Sequence, residues 1–186
     1  MYNIDLWEEK LISEIGQKRY NHSKRVMEEA LRINQKYQLD SDKVKCAGIL
    51  HDCAKYNEEK YLKEFKESIK PINLEYKEVL HSFLGAEVAK KVYNINDIEV
   101  LDAIRFHTTG RENMTTLDKI IFLADAIEPK RSYPGVKELR RLTDLSLDEA
   151  CAYCLDHNIE FLIKKHAPIH PLTVLARNYL IKEKND

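Results

Sequence analysis

Apolar residues recur along the chain at the three- and four-residue spacing of α-helices. One stripe runs from His22 to Tyr37, and a second begins at Ser41 and continues through His51. Further stripes predict helices at His81 to Val92, Val100 to His107, Leu117 to Asp125, Leu147 to about Lys165, and Pro171 to about Lys182. Segments 57–76 and 130–135 are loop-like, and no segment alternates as a β-strand does. The pattern predicts an all-α helical bundle, with a single domain spanning residues 1–186.

Five of the predicted helices carry a potential metal ligand on or beside the apolar stripe. A lone histidine on such a face is usually a core residue hydrogen-bonded to the backbone. Five such residues directed into one core are better explained by a shared cation, because a buried imidazole or carboxylate without a partner is costly. The sequence therefore predicts a metal site at the centre of the bundle, built from His22, His51, Asp52, His81, His107 and Asp125.

Lys55 follows the adjacent pair His51-Asp52 at helical spacing. A charged lysine cannot bind a metal, but it can neutralise a phosphate that is bound to one. The alternative is an ordinary solvated surface lysine. We expect Asp52 and Lys55 to be the catalytic residues.

The charge balance limits the classes of partner. The 186 residues include 30 Lys plus Arg and 31 Asp plus Glu, so the basic excess typical of nucleic-acid or anionic-membrane binding is missing. The start of the chain does not resemble a signal peptide, and no apolar run reaches the roughly 18 residues of a spanning helix. We therefore expect a cytoplasmic protein that binds neither nucleic acid nor membrane. The solitary Cys151-x-x-Cys154 pair is expected to be reduced and in the core, and His157 and His166 are assigned no chemistry.

The order His, His-Asp, His, His, Asp resembles the HD superfamily of metal phosphohydrolases. In detail it resembles the YqeK-type branch, the bacterial symmetrical diadenosine tetraphosphate hydrolases. The most specific blocks are His107-Thr-Thr-Gly-Arg111 and Asp125-x-Ile-Glu-Pro129. The other matching segments are Arg19 to Val26, Leu50 to Lys55, Leu80 to Ala86, Ala103 to Phe106, and Pro168 to Thr173.

The resemblance implies an HD-domain bundle with one or two divalent transition-metal ions. It assigns the first ion to His22, His51, Asp52 and Asp125. His81 and His107 either complete a second site bridged by Asp52 or contact phosphate oxygens if one ion is bound. These ligand types suit iron, manganese, cobalt or nickel. Iron and a homodimer are what the resemblance implies.

The resemblance also implies a substrate, a dinucleoside polyphosphate. Diadenosine tetraphosphate would be cut in the middle by metal-activated water to give two ADP. The expected substrate contacts are Lys55, His81, His107, Thr108, Thr109, Arg111, Arg131 and His170. Arg131 follows a helix end, and His170 precedes a helix start where an anion is favoured. Each of the outer residues could instead be an ordinary capping or surface group.

Two classes of alternative remain open at this stage. The scaffold also suits a nucleotide phosphatase, a deoxynucleoside triphosphate hydrolase or a guanosine tetraphosphate hydrolase. A non-catalytic HD module that binds nucleotide is a further alternative, although such modules usually lose a ligand or the lysine.

Overall fold

The computed structural model describes residues 4–185, apart from the side chains of Asp5, Lys184 and Asn185. All regular structure in this range is helical, which confirms the all-α prediction. Two short 3₁₀ helices span Ile4–Trp7 and Lys66–Ser68. The α-helices are α1 (Glu8–Tyr37), α2 (Ser41–Leu50), α3 (Glu58–Phe65), α4 (Pro71–Leu74), α5 (Lys77–Val92), α6 (Ile98–Phe106), α7 (Thr116–Ile127), α8 (Val136–Leu145), α9 (Leu147–Lys164) and α10 (Pro171–Asn185).

The close packing of α1 against α2 brings the first two histidines together. Gly48 permits this approach, because a Cβ atom at this position would lie only 2.7 Å from the Cα of Met27. The predicted stripe on α1 is buried at His22, Val26 and its neighbours along the same face. Helix α2 begins at Ser41 as predicted, and the Asp40 side chain accepts a hydrogen bond from the first turn.

Two local predictions are wrong, and one helix was missed. Segment 57–76 was predicted to be a loop, but it contains α3 and α4, and α3 buries Tyr61 and Phe65 one turn apart. Helix α8 was not predicted. His51 and His107 do not lie within helices, since each follows directly after the last residue of α2 or α6. The predicted loop at 130–135 is confirmed.

Helix α7 ends at Ile127, shortly after Asp125 as predicted. The pair Cys151 and Cys154 is buried and reduced in α9, which confirms the core assignment. No described helix combines the length and apolar character that a bilayer crossing requires. The prediction about the start of the chain rests partly on residues 1–3, which lie outside the described range, and the single-domain boundary stays a prediction.

Candidate metal centre

The structure brings all six predicted ligands together around Asp52. The Oδ2 atom of Asp52 lies 3.4 Å from His51 Nε2 and 3.9 Å from His22 Nε2. Its Oδ1 atom lies 3.3 Å from His81 Nε2 and 3.7 Å from His107 Nε2. The two oxygens therefore divide the site. We call the group formed by His22, His51 and Asp125 the Oδ2 side, and the pair His81 and His107 the Oδ1 side.

Asp125 completes the Oδ2 side from α7. Its Oδ1 atom lies 3.0 Å from His22 Nε2 and 4.0 Å from His51 Nε2. Potential ligand atoms of these three residues all lie within 4.8 Å of one another, and the same holds for His51, Asp52 and His107. Each group has the spacing and the imidazole and carboxylate donors of a divalent transition-metal site.

Two buried nitrogens test whether a cation fits the Oδ2 side. The Nε2 atoms of His22 and His51 are buried, and neither makes a hydrogen bond within the described part of the chain. Burying a polar atom without a partner destabilises the folded protein, so we expect both nitrogens to bind a ligand. A cation placed among these atoms would satisfy the two nitrogens together.

The local charge also favours a cation. Arg19 donates to Asp52 Oδ2 at 2.8 Å, and the Arg131 guanidinium donates to the carboxylate of Asp125. Burial lowers the pKa of His51, but the carboxylate of Asp52 outweighs it and the pKa is raised. Burial raises the pKa of Asp52, yet its histidine neighbours hold the value well below the usual range. Burial also raises the pKa of Asp125, but the hydrogen bond with His22 and the charges of His51 and Arg131 lower it below its usual range. Both carboxylates are therefore ionised and attract positive charge.

The far side of each Oδ2-side imidazole is held in place. His51 Nδ1 lies 2.8 Å from the Gly48 carbonyl oxygen, and His22 Nδ1 lies 3.2 Å from Glu128 Oε1. Glu128 is buried and also accepts from Arg25 Nε at 2.6 Å. Its pKa is lowered to about 2 because these hydrogen bonds, led by that of Arg25, outweigh burial. Such partners keep the proton on Nδ1 and direct the Nε2 lone pair toward a metal.

On the Oδ1 side, one imidazole is held in the same way as His51 and the other is not. His107 Nδ1 lies 2.7 Å from the Ile104 carbonyl oxygen, so its Nε2 is also free to bind a metal. His81 Nδ1 instead lies 3.0 Å from Lys55 Nζ. An ammonium group has donors only, so this contact makes Nδ1 an acceptor and leaves the proton on Nε2. Burial lowers the pKa of His81 to about 3 and that of His107 to about 4, so both rings are neutral near pH 7.

Of the expected outer contacts, Thr108 and Arg131 reach the centre. Thr108 Oγ1 lies 3.4 Å from His81 Nε2, and Arg131 contacts Asp125 as described. Thr109 is buried, and its hydroxyl donates to the Gly110 carbonyl oxygen.

The structure places Arg111 and His170 outside the cluster. Arg111 binds Asp118 and Asp102, at 2.8 and 3.0 Å. His170 Nε2 lies 3.1 Å from the Asn73 side-chain oxygen, and its Nδ1 accepts from the Leu172 backbone. Both residues therefore have structural partners, and their substrate contacts stay predictions.

Three residues beside the centre have no role predicted from the sequence. Arg19 and Glu128 lie within the matching segments Arg19 to Val26 and Asp125 to Pro129, and this was the only sequence signal for them. An arginine or a glutamate at these positions does not by itself indicate which residue it contacts. The third is Tyr56, whose hydroxyl accepts from Arg19 Nη2 at 2.8 Å. Its ring is exposed and its φ is 70°, a left-handed conformation that costs energy for an aromatic residue. Strain of this kind is common at functional sites.

Comparison with known proteins agrees with this geometry. The HD domain family model matches residues 19–130, which include all six predicted ligands. A symmetrical bis(5'-nucleosyl)-tetraphosphatase from Halalkalibacterium halodurans is 44% identical, over 89% of this chain and 90% of the relative. The corresponding protein of Bacillus subtilis is 36% identical, over 90% of this chain and 92% of the relative.

A solved structure extends the match to the whole fold. The crystal structure of a predicted HD superfamily hydrolase involved in NAD metabolism, from Clostridium acetobutylicum, is 41% identical with a TM-score of 0.93. The match covers 98% of this chain and 99% of that one. The chain belongs to the HD domain family of metal-dependent phosphohydrolases, among the symmetrical bis(5'-nucleosyl)-tetraphosphatases.

Proposed function

We propose that this protein hydrolyses dinucleoside tetraphosphates symmetrically, and that it converts diadenosine tetraphosphate and one water into two ADP. The observation that carries the proposal is the division of contacts around Asp52. One carboxylate oxygen faces a group of imidazole and carboxylate ligands, and the other faces a protonated imidazole nitrogen beside a lysine. In this proposal, a metal-binding side and a phosphate-binding side would meet at Asp52.

The Oδ2 side and Asp52 would hold the resident cation. Iron is the metal that we propose, and manganese, cobalt or nickel would suit the same donors. When bound, a divalent cation lowers the pKa of a water molecule and withdraws charge from phosphoryl oxygens. Glu128 and the Gly48 carbonyl would keep the two imidazoles oriented through their Nδ1 atoms. His107 is placed to serve as a ligand if a second ion binds.

The Oδ1 side would bind the scissile phosphate. His81 offers an Nε2–H donor, and Lys55 holds that tautomer while contributing positive charge. Arg19 and Arg131 now donate to the carboxylates of Asp52 and Asp125, and both can turn a guanidinium nitrogen toward phosphate oxygens. Lys55, Arg19 and Arg131 each contact a residue of the centre, so three cationic side chains would be available to neutralise a bound tetraphosphate.

Product analysis after anaerobic purification tests the proposal. The protein should contain a stoichiometric transition metal and should release two ADP from diadenosine tetraphosphate. In ¹⁸O-labelled water, one of the two ADP molecules should carry one label on its β-phosphate. Release of AMP plus ATP, or activity confined to mononucleotides or guanosine tetraphosphate, would contradict the proposal. The homodimer is tested separately by light scattering.

A further inference from the structure

A cavity of about 510 Å³ adjoins the Oδ1 side. It lies between the start of α5, the turn after α6, and α9. Its lining includes Tyr76, Val79, Thr108, Asn158, Phe161 and Leu162. Thr108 connects it to the centre, because its hydroxyl lies 3.4 Å from the proposed phosphate donor, His81 Nε2. The volume is within the roughly 300–1,000 Å³ of small-molecule pockets.

The lining has the chemistry that a nucleoside requires. Tyr76 and Phe161 supply aromatic surface, and the Phe161 side chain remains 54% exposed. The Asn158 Nδ2 atom donates one long hydrogen bond, of 3.9 Å, to Cys154 Sγ. The Asn158 side-chain oxygen accepts no hydrogen bond from the described residues. A free amide offers one donor and one acceptor, and this pair matches the Hoogsteen edge of adenine.

A second cavity, of about 530 Å³, shares only His170 with the first one. None of the six central residues lines either cavity, and Thr108, the residue that contacts His81, lines only the first of the two. The ring of His170 separates the two cavities and packs edge-on against Tyr76, with ring centroids 4.6 Å apart. Its bonds to Asn73 and Leu172 hold this wall in place. Continuity with the phosphate site therefore singles out the first cavity.

We propose that the cavity lined by Tyr76, Asn158 and Phe161 binds the base and ribose of one ADP half of the substrate. This inference rests on the proposed function and adds to it the nucleoside site. The base stacks on the aromatic side chains, and Asn158 reads its edge. His170 acts as a positioning residue that supports Tyr76, which explains a motif histidine without contact to the metal centre.

Calorimetric titration of the metal-loaded protein with ADP and with inorganic pyrophosphate tests this site. Phe161→Ala should weaken ADP binding about tenfold, the scale of a lost base–aromatic stack, and should leave pyrophosphate binding unchanged. Ile163→Ala is the matched control, because Ile163 is a 59% exposed residue of the same helix that does not line the cavity. It should change neither affinity. Wild-type affinity of Phe161→Ala for ADP would overturn the inference.

Two further readouts separate this inference from the proposed function. Asn158→Leu should lower kcat/KM for diadenosine tetraphosphate more than for its diguanosine counterpart, because the Hoogsteen edge of guanine presents two acceptors and cannot donate to the Asn158 side-chain oxygen, whereas adenine uses both its donor and its acceptor. An unchanged ratio would count against base reading by Asn158. A wild type that binds ADP through Phe161 but does not form two ADP would refute the proposed function and leave the nucleoside site intact. A wild type that binds ADP no better than pyrophosphate would refute the site alone.

Discussion

Histidines on the two sides of Asp52 are held by different partners, and we propose that they serve different tasks. On the Oδ2 side, His22 and His51 place Nδ1 against a carboxylate and a carbonyl oxygen, so the Nε2 lone pairs face inward. On the Oδ1 side, His81 places Nδ1 against the Lys55 ammonium, so a proton faces inward. The partner of the outer nitrogen therefore decides whether a histidine can bind a cation or donate to an anion.

Removing Asp52 should break both sides at once and should have the largest effect. Asp52→Asn keeps the shape but removes the charge shared by four histidines. We expect kcat/KM to fall by at least about 10³-fold and the bound metal to decrease. Metal analysis and steady-state kinetics measure the two effects. Asp144→Asn, at an exposed pair with Arg32, is the control. Turnover near the wild-type rate would rule out Asp52 as the shared residue.

Exchanging one histidine on each side sharpens the comparison. His51→Gln should lose metal, because a ligand is removed. His81→Gln should keep the Oδ2-side metal and still lower kcat by about 10²-fold, because a hydrogen-bond donor to the reacting phosphate is lost. Metal content of the two purified variants separates them. Equal metal loss in both would show that His81 is a ligand and that the tautomer assignment is wrong.

Glu128 tests whether the outer partner of His22 matters. Glu128→Ala should weaken metal affinity by about 10–100-fold, the usual effect of losing a partner behind a ligand. Glu128→Gln retains an acceptor for His22 and should recover part of the affinity. Competition with a chelator measures both. Glu138→Ala is the control, because Glu138 pairs with Arg141 on an exposed part of α8. The same affinity in all three variants would contradict this role.

Arg111 should have the smallest effect on turnover. Burial raises the pKa of Asp118 even though Arg111 contacts it, so Arg111→Ala leaves a buried carboxylate poorly paired. We expect the free energy of unfolding to fall by about 2–3 kcal/mol while kcat/KM stays within about twofold. Urea denaturation and kinetics measure the two quantities, with Arg141→Ala as an exposed control. Normal stability with a raised KM would support the substrate contact predicted from sequence.

Helical periodicity was enough to predict an all-α bundle and to place five of the six central residues on or beside apolar stripes; Asp52 was added because it follows His51 directly. Periodicity predicted the ends of helices less accurately, because the residue at which a helix ends depends on capping and packing contacts as well as on the spacing of apolar residues. His51 and His107 follow apolar stripes, yet each lies in a turn just past its helix. Helix α3 was missed because it is short and because its buried residues, Tyr61 and Phe65, are surrounded by charged residues in the sequence.

Contacts between distant residues could not be predicted from local pattern. Arg19 and Asp52 are 33 positions apart, and His22 and Glu128 are 106 apart. Nothing in the spacing of these residues indicates that they meet. Likewise, Arg111 is the last residue of a specific motif, but its partners Asp102 and Asp118 come together only when α6 and α7 pack against each other. Residue types in the sequence therefore indicated which residues could take part in the site, but which of them contact each other is known only from the folded structure.

The centre joins segments that lie far apart along the chain, from α1 to α7. A cation held there would crosslink these helices without a covalent bond, and it would favour the folded chain over the unfolded one by about 2.7 kcal/mol at a hundred times its Kd. Thermal melting then becomes a measure of occupancy, since the metal that raises Tm most at equal concentration is the one bound most tightly. A chelator that removes the cation should therefore lower the Tm of this protein.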